Sequence, residues 1–161
     1  MNTPAIQCQK VCKSYGKQRV LDNIELVVPE GNFYGLVGIN GSGKSTMIKA
    51  MLDLVSIDKG LISIFGKSHR KVSAREQIAY LPDRFSPPIH LKCRDFIHYM
   101  LELHSSRQNN VEIHKMLDAL ELDRKIMGSS VGRLSKGMTQ KLGLASCLLS
   151  RKTLLILDEP M

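Results

Sequence analysis

Residues 38–46 read GINGSGKST, and their types and spacing suit the holding of a phosphate-bearing ligand. Gly38, Gly43, Lys44 and Ser45 fill the frame G-x-x-x-x-G-K-[ST] of a phosphate-binding loop. Gly38, Gly41 and Gly43 let the backbone take conformations closed to residues with a Cβ, so successive N–H groups can turn inward around an anion. Asn40, Ser42 and Thr46 complete the set of residues expected against the ligand. A helix is expected to open here, and its positive pole makes Lys44 a poor choice for stability alone. A bound triphosphate reverses that sign problem: Lys44 would reach the β- and γ-phosphates, and the Ser45 hydroxyl would ligate Mg²⁺.

A second chemical constellation is LLILDE at 154–159, an apolar run ending in two carboxylates. In a parallel sheet, ligands sit at the carboxyl ends of the strands. Asp158 then suits a Mg²⁺ ligand acting through water, and Glu159 suits a base that polarises an attacking water. Taken alone, the pair is equally a helix cap or a surface pair after a core strand. Beside GINGSGKST the catalytic reading leads.

The elements that must position these residues follow from periodicity and punctuation. Ile6 to Tyr15 and Val20 to Val28 are expected as two strands joined by a turn at Gly16, and Phe33 to Ile39 (FYGLVGI) as a strand buried on both faces ahead of the loop. Thr46 to Leu54 has helical spacing. Short strands are expected at Leu61–Phe65 and Gln77–Leu81, the latter ended by Pro82, with Pro87 and Pro88 keeping the next loop extended. From Arg94 to Leu122 the pattern is helical, with Phe96, Met100 and Leu103 on one face. A further helix is expected after Ser135, reaching about Ser150, and then a strand from Thr153 to Leu157. Strands alternating with helices indicate an α/β fold with a mainly parallel sheet.

Composition sets bounds on the chemistry. The chain has 161 residues, 43% hydrophobic and 24% charged, as in an ordinary globular protein of one domain. Apolar stretches such as Leu154 to Leu157 are far shorter than the roughly 20 residues a bilayer span requires. The start, MNTPAIQCQKVCKSYGK, has no apolar core of a signal peptide, so a cytoplasmic location is expected. Cys8, Cys12, Cys93 and Cys147 lack metal-type spacing and are expected to be free thiols, with Cys8 and Cys12 sharing a strand face. The net charge of +8 could mark nucleic acid or acidic lipid, but the basic residues are scattered and not interleaved with aromatics. Solvated surface accounts for them, and nucleic acid is not expected as a partner.

Between the two constellations lies Leu134-Ser135-Lys136-Gly137-Met138, within VGRLSKGMTQKLGLASCLLS. These three motifs in order, with Tyr15 upstream, resemble the nucleotide-binding domain of the ABC ATPase family, and the resemblance covers essentially the whole chain. It implies a P-loop NTPase fold with N-terminal antiparallel β strands, a mainly parallel sheet and an inserted helical subdomain at about 90–135, all within one nucleotide-binding domain spanning 1–161. It implies that Ser135 and Gly137 belong to a signature loop that binds the γ-phosphate of ATP held by a partner subunit. A serine hydroxyl and N–H groups at a helix N-terminus suit that task. Lys136 and Met138 depart from the common LSGGQ form of the loop. Tyr15 is similar to the aromatic residue on which adenine stacks, and Asp83, in AYLPD, takes the place of the glutamine that usually ligates Mg²⁺ and water.

The same resemblance implies ATP and Mg²⁺ as cofactors. It implies a second copy of the domain as partner, a separate membrane permease of exporter type, and a peripheral place on the inner face of the cell membrane. In the family the catalytic glutamate is followed by an interfacial loop and a histidine; here all five histidines precede Glu159, so the chain is expected to be truncated after that motif, and residues 1–161 alone to hydrolyse ATP poorly. Two other readings stay open: a soluble ATPase of the same family acting on ribosomes or nucleic acid, and a non-catalytic ATP-binding regulator.

Overall fold

The computed structural model describes residues 3–159. The chain divides into two compact units, Met1–Gln77 and Ile78–Met161. In the first unit, β1 (Ile6–Tyr15) and β2 (Gln18–Val28) form an antiparallel hairpin that turns at Gly16, whose φ of 57° lies in the left-handed region. β3 (Lys59–Ile64) pairs antiparallel on the other edge of β1, and a two-residue β4 (Lys67–Ser68) pairs with β3, giving the order β2-β1-β3-β4. Helix α1 (Lys44–Met51) buries Met47, Ile48, Ala50 and Met51. A single turn, α2 (Val72–Arg75), follows β4.

The strand β1 does not keep one alternation from end to end. Ile6 and Cys8 face the core, then the phase slips, and Val11 and Lys13 face it. The cause is a register shift between Cys8 and Val11, with Lys10 at φ 48°. An extra residue in one strand of a pair bends it and moves every later side chain to the other face. Gly60 makes room for the bulge: a Cβ there would stand 2.4 Å from the Lys10 carbonyl oxygen. One consequence corrects an expectation, because Cys8 is buried while Cys12 is half-exposed, its Sγ 3.4 Å from Asn23 Oδ1. The two thiols do not share a face.

A second difference concerns Phe33 to Ile39. No ladder hydrogen bond holds this run among the described residues, and Phe33, Val37 and Ile39 are 109%, 93% and 83% exposed. A strand buried on both faces needs a neighbour on each edge. Both edges of β1 are already taken by β2 and β3, and β4 is only two residues long. Apolar sequence alone did not supply the pairing.

In the second unit, β5 (Ile78–Leu81) and β6 (Leu154–Leu157) pair in parallel, residue 78 opposite 154 through 81 opposite 157. Three helices pack with them: α3 (Cys93–Leu103), α4 (Asn110–Ala119) and α5 (Lys136–Leu149). The helical pattern expected over 94–122 is thus two helices. The chain turns at Ser105, φ 53°, and Asn109 starts α4 with a capping box: its Oδ1 accepts from the Glu112 N–H at 2.9 Å, and Glu112 Oε2 accepts from the Asn109 N–H at 3.2 Å. The core gathers Phe96, Ile97, Leu101, Ile113, Leu117 and Leu142, while Leu103, expected to share a face with Phe96, is 61% exposed. Helix α5 approaches β5 closely at Gly143, where a Cβ would come within 2.8 Å of Leu81 Cδ1.

Burial sets the reactivity of the thiols. It raises Cys8 to about 12, with a smaller push from the Glu25 carboxylate, and raises Cys147 to about 11. Burial also raises Cys93. A raised value means less thiolate at a given pH, and thiolate is the reacting form. At pH 8 a disulfide reagent should therefore label one thiol, Cys12, quickly in the native protein and all four only after denaturation. Rapid labelling of Cys8 would contradict the burial of β1.

Candidate nucleotide-binding site

The first unit carries the phosphate loop. Gly41 and Gly43 lie at φ 82° and 95°, so both occupy the left-handed region that a side chain disfavours. At Gly43 space excludes a side chain as well, since a Cβ would stand 2.8 Å from the Val20 carbonyl oxygen. A Cβ on Gly38 would meet Ser42 Oγ at 2.7 Å. The loop thus fits bare backbone at all three positions that must turn tightly or pack closely.

Helix α1 begins at Lys44 with Gly43 as its cap, no side-chain capping bond and no acidic residue in its first turn. Its first N–H groups have no partner within the helix, and this end carries the positive pole of the dipole. Lys44 Nζ folds back to donate to the carbonyls of Gly38, at 2.7 Å, and Ile39, at 3.1 Å. Those two carbonyls hold the ammonium over the loop. Asn40 and Ser45 are exposed, and Thr46 is half-buried. Uncapped N–H groups and a cation, with no acidic residue in the first turn, suit an anion. Tyr15, at the end of β1, is 49% exposed.

The second unit carries the acidic residues. Parallel pairing of Leu81 with Leu157 brings the segments that follow each strand to one edge of the sheet, and the Asp158 N–H donates to the Leu81 carbonyl at 2.9 Å. Asp158 is buried and Glu159 exposed, with Glu159 at φ 50°. Asp83, exposed two residues past β5, shares this edge. Both aspartates act on Tyr80: burial chiefly raises its phenol, and the charges of Asp158 and then Asp83 raise it further. Both carboxylates thus lie near Tyr80 at this end of the sheet.

Ser135 caps α5, its Oγ accepting from the Met138 N–H at 3.2 Å. The hydroxyl hydrogen remains free to donate. Gly137 lies in the first turn, where a Cβ would meet nothing within 4 Å, so the helix end is open on that side. Asp83, Arg84, Leu134 and Lys136 line one groove of about 520 Å³, which joins the loop after β5 to the start of α5. Sequence reasoning missed Lys13, whose Nζ lies 5.3 Å from the centroid of the Tyr15 ring, and Asp58, which pairs with it; their contact spans forty-five positions, and periodicity carries no sign of it.

A profile of the ABC transporter family matches residues 21–161. The zinc import ATP-binding protein ZnuC of Vibrio cholerae serotype O1 is 34% identical over 157 residues, covering 96% of this chain and 55% of that protein. The lantibiotic transport ATP-binding protein SrtF of Streptococcus pyogenes is 32% identical over 155 residues, covering 96% of this chain and 66% of SrtF. Among solved structures, a putative ABC transporter ATP-binding protein from Pyrococcus furiosus superposes with a TM-score of 0.86 at 28% identity, over 96% of this chain and 75% of its own. The chain spans about half of ZnuC and about two thirds of SrtF, so it covers only part of these relatives. The family match takes in the loop, the capped α5 and the acidic residues after β6, and the fold is that of the ATP-binding structures: the chain belongs to the ABC transporter family.

Proposed function

We propose that the protein binds Mg-ATP and, as part of its full natural chain, hydrolyses it to drive transport through a separate membrane permease. The observation that carries this reading is the start of α1, where glycines at left-handed φ, a helix end with no side-chain cap and Lys44 come together with no acidic residue in the first turn. Lys44 would exchange its two carbonyl partners for the β- and γ-phosphate oxygens, and Gly38 to Thr46 would wrap the phosphates. Tyr15 would stack on adenine. Ser45, Asp83 and Asp158 would hold Mg²⁺, which when bound offsets phosphate charge and orients the phosphates. Glu159 would accept a proton from the attacking water.

In this reading residues 1–161 form one nucleotide-binding domain with a helical subdomain at about 90–135. Ser135 and Gly137 would donate to the γ-phosphate held by a second copy, so that two copies sandwich two nucleotides and part after hydrolysis. None of the described helices is long and apolar enough to cross a membrane, which fits a permease on another chain and a place for this one at the inner membrane face. Relatives named for zinc import and for lantibiotic transport support a transport role and leave both directions open.

Calorimetry with Mg-ATP and phosphate release by the full natural chain test the proposal together. Saturable binding, with turnover that needs Mg²⁺, is expected. A folded protein that binds neither ATP nor tripolyphosphate would end this reading.

A further inference from the structure

Asp58, just ahead of β3, reaches across to the far end of β1. Its N–H donates to the Cys12 carbonyl at 2.9 Å, its Oδ2 accepts from the Ser14 N–H at 2.7 Å, and its Oδ1 accepts from Lys13 Nζ at 3.4 Å. Lys13 Nζ in turn lies 5.3 Å from the centroid of the Tyr15 ring. The bulge at Gln9–Lys10 makes this possible, since the shifted phase turns Lys13 inward.

Lys13 is the only buried lysine or arginine among the described residues. A lysine side chain is rarely packed away from water to this degree, and the one half-exposed carboxylate beside it is a weak partner. An apolar side chain of similar length would fill the same space more favourably. What the ammonium adds is directional: it attracts the face of an aromatic ring. Burial of Lys13 is therefore poorly explained by stability and well explained by the ring it supports. Asp58 completes the arrangement by tying down the backbone at Ser14, next to the ring, where the β1–β2 register shifts again between Lys13 and Ser14.

We infer that Lys13 and Asp58 are positioning residues for the nucleobase, fixing the end of β1 and holding the Tyr15 ring with one face on the ammonium and the other free to stack on adenine. The inference rests on the proposed role of Tyr15. A ring held in its binding orientation before the ligand arrives loses less freedom on binding, so the pair acts on affinity for the base and leaves the phosphate loop alone.

The test compares Mg-ATP with Mg-tripolyphosphate, which lacks a base, by calorimetry on the full natural chain. Asp58→Ala and Lys13→Met should each weaken ATP by about three- to tenfold and leave tripolyphosphate unchanged. In a Tyr15→Ala background, neither should weaken ATP further. Asp58→Asn keeps an acceptor for the Ser14 N–H and loses the charge, and carries the test if Asp58→Ala does not fold; it should weaken ATP less than Lys13→Met does. Equal losses for both ligands would show a merely structural role and overturn the inference, as would losses that simply add to those of Tyr15→Ala. If Tyr15→Ala weakens ATP while the Lys13 and Asp58 variants do not, positioning fails and stacking stands. If Tyr15→Ala itself is silent, the stacking reading falls and the inference with it.

Discussion

Lys44→Ala should lower the affinity for Mg-ATP by about a hundredfold, while the melting temperature of the nucleotide-free protein stays within a few degrees of the parent. Hydrogen bonds to charged groups contribute about 1.5–3 kcal/mol each, and Lys44 would make them to phosphates that carry several negative charges. Without nucleotide the same ammonium bonds only the Gly38 and Ile39 carbonyls and sits against the positive pole of α1. Those contributions oppose each other, so removal should be nearly neutral for folding. The glycine conformations of the loop do not depend on the lysine, because Gly43 is set by its close approach to Val20. Calorimetry with Mg-ATP, beside thermal unfolding of both proteins, reads the two effects separately. Unchanged affinity in a folded Lys44→Ala protein would remove residues 38–46 from the site.

The loop and the helix that follows it were legible in the sequence because their constraint is local. Nine consecutive residues specify glycines where the backbone must turn, and the structure puts Gly41 and Gly43 at positive φ. Ser135 was legible in the same way, as a residue able to cap the helix that begins after it. The capping box Asn109-x-x-Glu112 was there to be read as the start of a new helix, and the apolar spacing that runs past it on both sides concealed it.

What the sequence withheld was non-local. The run 33–39 has the composition of an interior strand, but pairing depends on neighbouring strands, and composition does not say where those are. The bulge in β1 has no glycine within it; its sign lies at Gly60, across the sheet, where the absent side chain admits the Lys10 carbonyl. Periodicity assumes an unbroken period, so it put Cys8 and Cys12 on one face and gave no reason to look at Lys13. The Lys13–Asp58 contact depends on that bulge and on sheet pairing together, which is why it emerges only from the structure.

Replacing Glu159 with Gln in the full natural chain should reduce ATP turnover by about 10²- to 10⁴-fold, the range that a positioned general base contributes, and leave ATP affinity nearly unchanged. Glutamine keeps the size of the side chain and can still hydrogen-bond a water, but it cannot take the proton. The backbone supports the choice of Glu159 over Asp158. Asp158 is buried, with its N–H tied to the Leu81 carbonyl, which suits a fixed ligand; Glu159 is exposed and held at φ 50°. A non-glycine residue in that region is disfavoured by about 1–2 kcal/mol, but Lys10, Asn23, Asp53, Phe65, Ser105, Glu121 and Arg151 share it, so exposure rather than strain marks Glu159 out. Asp158→Asn should behave differently, raising the Mg²⁺ concentration needed for half-maximal turnover because it weakens a metal contact. Steady-state phosphate release across a Mg²⁺ titration, with nucleotide binding measured on the same proteins, distinguishes the two residues. Should Glu159→Gln turn over ATP at the parental rate while Asp158→Asn is inactive at every Mg²⁺ concentration, the base would have to be sought elsewhere, and Glu159 would be left as the residue that turns the chain at the end of β6.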